Sequence, residues 1–261
     1  MLFFKTKPLL SEQDQQFQIA TFKWLLKYFG GQDFVDTKLI LPIREHFPQK
    51  LDDNDDAAEK TFEQVKAHAG LEKWPCKLVA QDEDIDPVVA PALAVSGAPG
   101  GPMGTFGVEE NNETIITYNP AIIGQPVQLI ATFAHELAHY LTGTSREEPP
   151  GGWENWEFAT DISATFMGFG VFMANSASNF QQYTNVDSQG WKYSRSGYLS
   201  EAEHIYALAL FMGLRSIPLE DALSHLKPGL KKLLKKAVKE IGKTNIIKEL
   251  CEIEFEPVVP T

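Results

Sequence analysis

The chain has 261 residues, 43% of them apolar and 22% charged, a size at which roughly 70–75% of the unfolded surface can be buried without covalent staples. Wholesale disorder and collagen-like repeats are therefore excluded. With 35 acidic residues against 23 basic ones the net charge is −12, which argues against general nucleic-acid binding, because phosphate affinity comes from lysine and arginine.

Two cysteines, Cys76 and Cys251, with no CxxC pair, build neither a disulfide framework nor a cysteine-rich zinc module. The N-terminus, Met1-Leu2-Phe3-Phe4-Lys5, puts apolar residues before charge, the reverse of a secretory signal. A cytoplasmic location is expected. Three long uncharged stretches invite a test as membrane spans. Residues 87–108 and 114–134 are interrupted by proline and glycine. Residues 162–174 are continuously compatible with a helix but fall short of the ~20 apolar residues that a span needs, so they read as a buried core helix.

The first predicted element is a helix from Glu12 to Phe29, preceded by Ser11 as a cap and stopped by Gly30-Gly31. A second helix is expected from about Asp56 to Ala69, with the acidic run Asp52 to Asp56 as a solvated cap and Gly70 as its end. Between Trp74 and Asn119 the pattern changes to the short apolar runs Lys77–Ala80, Met103–Val108 and Thr114–Tyr118, separated by turn-forming clusters. These are strand signals. Beyond residue 120 the pattern is helical almost to the end, which predicts an α+β fold: a small sheet with helices elsewhere and no internal repeat. The expected division is a helical extension over 1–73, a metal-binding core over 74–180 and a helical region over 181–261 packed on that core. The last of these contains a basic amphipathic helix at 227–243, read mainly as a solvated lysine face over a leucine stripe, with a membrane-surface or nucleic-acid role as the minor reading.

The chemistry is concentrated in Pro126 to Gly143, which contains His135-Glu136-Leu137-Ala138-His139. In a helix, residues four apart share a face, so His135 and His139 can present imidazole nitrogens to one ion, while Glu136 is turned about 100° aside. A carboxylate so placed can take the proton of a water that zinc has acidified. The flanks fit a helix, with Pro126 in its first turn and Gly143 as its stop. Its apolar residues lie nearly all round, so it is buried, and buried histidines need partners. A metal supplies one.

A third ligand is expected from the next helical segment, where Glu157 and Asp161 are again four apart. Both lie on one face, and spacing alone leaves open which of them coordinates. The extra methylene of glutamate favours Glu157 as the ligand and Asp161 as the acceptor of a ring N–H from a liganding histidine. His135, Glu136, His139, Glu157 and Asp161 together resemble the thermolysin-like zincins, the gluzincins, in which HExxH is followed on a later helix by ExxxD. The run ATDISATFMGFGVFMANSAS also resembles uncharacterised bacterial HExxH proteins. The metzincin and aspzincin patterns fail at Thr142-Gly143-Thr144-Ser145-Arg146. The gluzincin resemblance implies a zincin-like fold, a bound Zn2+ and peptide or protein substrates, with Glu136 as general base. It also implies that Glu157 completes the ligand set. The alternative is a non-catalytic, zinc-stabilised binding or regulatory protein.

A donor for the developing oxyanion is sought in Trp191–Ser200, where Tyr193, Arg195 and Tyr198 are available. Tyr198 is preferred because it precedes a helix start marked by the capping box Ser200 and Glu203. The loop Gly143–Trp153 reads either as a cover of the cleft or as a plain connector, and the strand Thr114–Tyr118 either as the partner of an extended substrate, as the zincin resemblance implies, or as an internal strand. His46, His68 and His225 lack ligand spacing and read as surface or capping residues.

Overall fold

The structure, a computed structural model, describes residues 7–48, 55–81, 103–109, 111–184 and 198–256. Tyr193, Arg195, most of the acidic run at 52–56 and most of the uncharged stretch at 87–108 lie outside the described residues.

Helix α1, Glu12–Phe29, begins where Ser11 accepts a hydrogen bond from the Asp14 amide, and a short α2 follows at Gly31–Asp36. Helix α3, Asp55–His68, leads into β1, Lys77–Ala80. Strands β2, Gly104–Val108, and β3, Thr114–Tyr118, form a hairpin, and the sheet order is β1-β3-β2 with β1 parallel and β2 antiparallel to β3. The strand expected to pair with substrate, Thr114–Tyr118, is therefore the central one. Both its edges are already occupied, so it has no free row of backbone groups to offer. Among the described residues, the sheet's open edge toward the helix that carries His135 and His139 belongs to β2.

The remaining helices are α4, Pro126–Thr142, α5, Trp156–Ala164, α6, Gly170–Thr184, α7, Glu201–Leu214, α8, Leu219–Leu223, α9, Pro228–Ile241, and α10, Ile246–Cys251. The fold is α+β, as expected. No helix among the described residues is long and apolar enough to cross a membrane.

The stretch 162–174 is not one helix. Helix α5 ends at Ala164 and a π-helical turn, Thr165–Phe169, carries Gly168 at φ 98° before α6 starts. A side chain at Gly168 would collide with the Lys38 carbonyl, and the Gly168 carbonyl accepts from the Ile40 amide at 2.9 Å. Only glycine meets both the backbone angle and the close approach. The stretch is buried, as its composition implied.

Two apolar clusters hold the molecule. One joins α1 and α2 to α7, α8, α9 and α10 through Phe22, Leu25, Phe34, Tyr206, Leu210, Leu223, Leu230, Leu234 and Leu250. The other joins α3 and the sheet to α4 and α6 through Phe62, Ile116, Leu129, Phe133, Phe169 and Phe172. Helix α5 lies between them: its Phe158 and Ile162 belong to the first cluster, while Ala164 belongs to the second. Its polar face is thereby turned toward α4.

Candidate metal centre

Helix α4 is buried along most of its length, and its polar residues His135, Glu136 and His139 are 2%, 5% and 6% exposed. The Nε2 atoms of His135 and His139 are 3.1 Å apart. Glu157 Oε2, from α5, stands 3.3 Å from each of them. Three ligand atoms thus converge from two helices, and among the described residues this is the one group of such side chains close enough to hold an ion. Trp156 helps to seat α5, since its Nε1 donates to Thr142 Oγ1 at 2.8 Å and its ring meets the edge of His139 at 4.7 Å.

Each histidine has a support on its far nitrogen. His135 Nδ1 donates to Asp161 Oδ1 at 2.9 Å, while Thr160 Oγ1 lies 3.2 Å from His139 Nδ1. Such partners fix the tautomer that leaves Nε2 free to bind a metal. Thr160 was not singled out from the sequence. It lies three residues after Glu157, so the same helical spacing that marks Asp161 also marks it.

Asp161 has a second role. Its Oδ2 accepts the Leu199 amide at 2.8 Å and lies 3.6 Å from His204 Nε2. The turn ahead of α7 is thereby tied to α5, and Tyr198 is brought over His135 with ring centroids 5.5 Å apart. The predicted capping box is present, with Ser200 and Glu203 bonded reciprocally. His204 is fully buried and its Nδ1 has no partner among the described residues.

Electrostatics follow from burial and from these neighbours. Burial alone would lower the His135 pKa, but bonds to Asp161 and Glu157 carry it well above the ordinary value. Glu157 moves the other way: burial would raise it, and the two histidines hold it far below the usual carboxylate range. Burial raises Glu136 against the pull of His135 and His139, with Glu157 and Asp161 adding to the rise. Burial also lifts the Tyr198 hydroxyl well above its usual value, and the three nearby carboxylates push it further. It stays protonated at neutral pH. Glu136, Glu157 and Asp161 have no lysine or arginine within 4 Å among the described residues. Three carboxylates gathered around two histidines repel one another, and positive charge, on a protonated His135 or on a bound cation, offsets that repulsion.

Compared with models of known families, with curated proteins and with solved structures, the chain matches none. The likeness to the gluzincins rests on the five residues His135, Glu136, His139, Glu157 and Asp161, and on the convergence just described.

The edge strand β2 borders the centre. A Cβ on Gly104 would stand 2.7 Å from Thr132 Cγ2 and 3.0 Å from Glu136 Oε1, so glycine lets the strand lie against the base. Phe106 stacks on His139 at 6.2 Å with the ring planes 13° apart. Neither contact is readable from local sequence, because both depend on strand register. The loop Gly143–Trp153 turns to α1: Trp24 Nε1 donates to the Glu147 carbonyl at 3.3 Å, and Lys27 pairs with Glu147 at 3.4 Å. His46 and His68 take structural bonds, His46 Nδ1 with the Leu41 amide and His68 Nε2 with the His46 carbonyl. His225 offers its carbonyl to Asn175. None of the three belongs to the metal group.

Proposed function

We propose that the protein is a zinc-dependent metallopeptidase with His135, His139 and Glu157 as metal ligands and Glu136 as general base. The observation that carries this reading is the spacing of the ligand atoms, 3.1, 3.3 and 3.3 Å. Bonds of 2.0–2.1 Å in a tetrahedron put ligand atoms about 3.3–3.4 Å apart, so the trio fits zinc with one corner left open. Two imidazoles and one carboxylate also suit zinc chemically. When bound, zinc supplies Lewis acidity, lowering the pKa of water and polarising a carbonyl.

The chain's own groups account for the rest. Glu136 is buried, and among the described residues its carboxylate accepts no hydrogen bond. A structural glutamate in that position would have been bonded, whereas an unengaged carboxylate with a raised pKa suits proton transfer near neutral pH. Asp161 holds the His135 ring through Nδ1 and holds the Tyr198 turn through Leu199. Tyr198, protonated and above His135, is the chain's donor for a developing oxyanion. Among the described residues β2 has an unpaired edge along which an extended peptide can lie, with Gly104 giving its backbone close access to Glu136.

Purified protein is expected to contain one zinc per chain and to cleave members of a broad peptide library, with cleavage lost on chelation and restored by zinc. Glu136→Gln should keep the metal and lose at least about 100-fold in turnover, the usual scale for removing a general base. Absence of zinc uptake would sink the metal reading. Zinc uptake with no hydrolysis affected by Glu136→Gln would leave a metal-stabilised binding protein instead.

A further inference from the structure

The lysine face of α9 breaks three rules that a merely solvated helix obeys. Residues 227–243 carry seven lysines and one glutamate, a net +6, so the remainder of the chain carries −18. A surface helix gains from opposite charges three or four apart and loses from like ones. Here Lys231 and Lys235, Lys232 and Lys236, and Lys235 and Lys239 are like-charged pairs four apart, and the one acidic residue, Glu240, meets only Lys236, at 3.8 Å. The first turn holds no acidic residue but follows Lys227 and contains Lys231, so positive charge sits at the end where the helix dipole is already positive. Lys227, Lys231, Lys232, Lys235, Lys239 and Lys243 have no carboxylate within 4 Å among the described residues. Local energetic losses on this scale, in an acidic chain, mark a surface kept for an anionic partner.

We infer that the face formed by Lys232, Lys235 and Lys239 of α9, with Lys243 in the turn that follows, docks the protein on an anionic lipid surface. The opposite face of the helix decides the manner of binding. Leu230, Leu234, Ala237 and Ile241 are buried against the core that contains α7, so α9 has no apolar stripe free to insert between acyl chains. It binds by charge alone, lying along the headgroups over its 14 residues, about 21 Å of helix. The composition favours lipid over nucleic acid. All the cations are lysines, compact charges suited to a diffuse planar field, while the forked arginines and stacking aromatics that read nucleic acids are missing from the segment. A convex helix face also fits a plane better than a groove.

The test uses the full chain, sedimented with phosphatidylcholine vesicles with or without phosphatidylglycerol. Binding is expected only with the anionic lipid, weakening steeply as salt rises, because exposed charges are screened over about 8–10 Å near physiological ionic strength. Each lysine near such a surface is worth about fivefold, so the combined Lys232→Gln, Lys235→Gln, Lys239→Gln and Lys243→Gln variant should bind at least about 100-fold more weakly. All four side chains are exposed, and removing like-charge pairs should leave the melting temperature unchanged or slightly higher. A lower melting temperature would instead give these lysines a structural role. Equal binding to both vesicle types, or an unaffected glutamine variant, would overturn the inference. So would salt-sensitive binding to random duplex DNA without binding to the anionic vesicles.

Discussion

Two helix pairs in this protein are built on opposite plans. Helices α7 and α9 meet through Leu208, Leu230, Leu234, Ala237 and Ile241, while Lys232, Lys235 and Lys239 of α9 are exposed. Helices α4 and α5 bury His135, Glu136, His139, Thr160 and Asp161 against one another. The contact of the first pair is stabilised by the transfer of apolar surface from water, at roughly 25 cal/mol per Å2. The second must offset the desolvation of several ionisable groups through bonds among themselves, and an arrangement so dependent on its partners is worth keeping only for what it binds.

The largest effect expected from breaking this contrast is at Glu157. Glu157→Ala should nearly abolish zinc binding, exceeding the ~10–100-fold loss expected for Asp161→Asn, which removes only an outer support. Competition with a chelating dye at fixed pH ranks the two. If Asp161→Asn proves the worse, the roles are exchanged.

In the apolar pair the expected effect is smaller and of a different kind. Ile241→Val should cost about 0.5–1.5 kcal/mol of unfolding free energy, the usual figure for one buried methylene, and should leave zinc affinity untouched. Denaturant titration beside the dye assay checks both halves. A coupled loss of affinity would mean that the two helix pairs are not independent.

The smallest effect concerns pH in the metal-free protein. The folded-state pKa of Glu136 is raised by burial, so its contribution to stability is fully present below the unfolded value of about 4.3 and is lost as pH rises through the folded value. Glutamine does not titrate. Metal-free Glu136→Gln should therefore gain in melting temperature over the parent as pH rises from acid toward neutral. A gap independent of pH would show that the buried carboxylate carries no penalty.

How much of this was legible in the sequence follows from the range of each interaction. The facing of His135 with His139, and of Glu157 with Asp161, is fixed by the 3.6-residue period within one helix, so spacing alone found it. The cap at Ser11, the capping box at Ser200 and the strand Thr114–Tyr118 are equally local. Contacts between segments far apart in the chain were not legible. Nothing near Thr114 says that it lies in the middle of a sheet, since strand order depends on β1 and β2 docking on either side. The bond from Leu199 to Asp161 involves a backbone amide, which every residue but proline possesses. The break at Gly168 hid in an apolar run because its cause, the Lys38 carbonyl, is 130 residues away in the chain.

That break has a consequence for the cost of loading the ion. Gly168, at φ 98°, ends the rod that bears Glu157 and Asp161, and Gly152, at φ 83°, ends the loop that enters it. Between them α5 is only nine residues, about 13 Å, bolted to α4 at Trp156 and Asp161 and to the start of α7 at Leu199. A short rod held at its start and in its middle has little freedom to surrender. The three ligand atoms are preorganised: most of the entropy of gathering them was spent when the chain folded, so a metal bound there would meet little further cost in ordering α5.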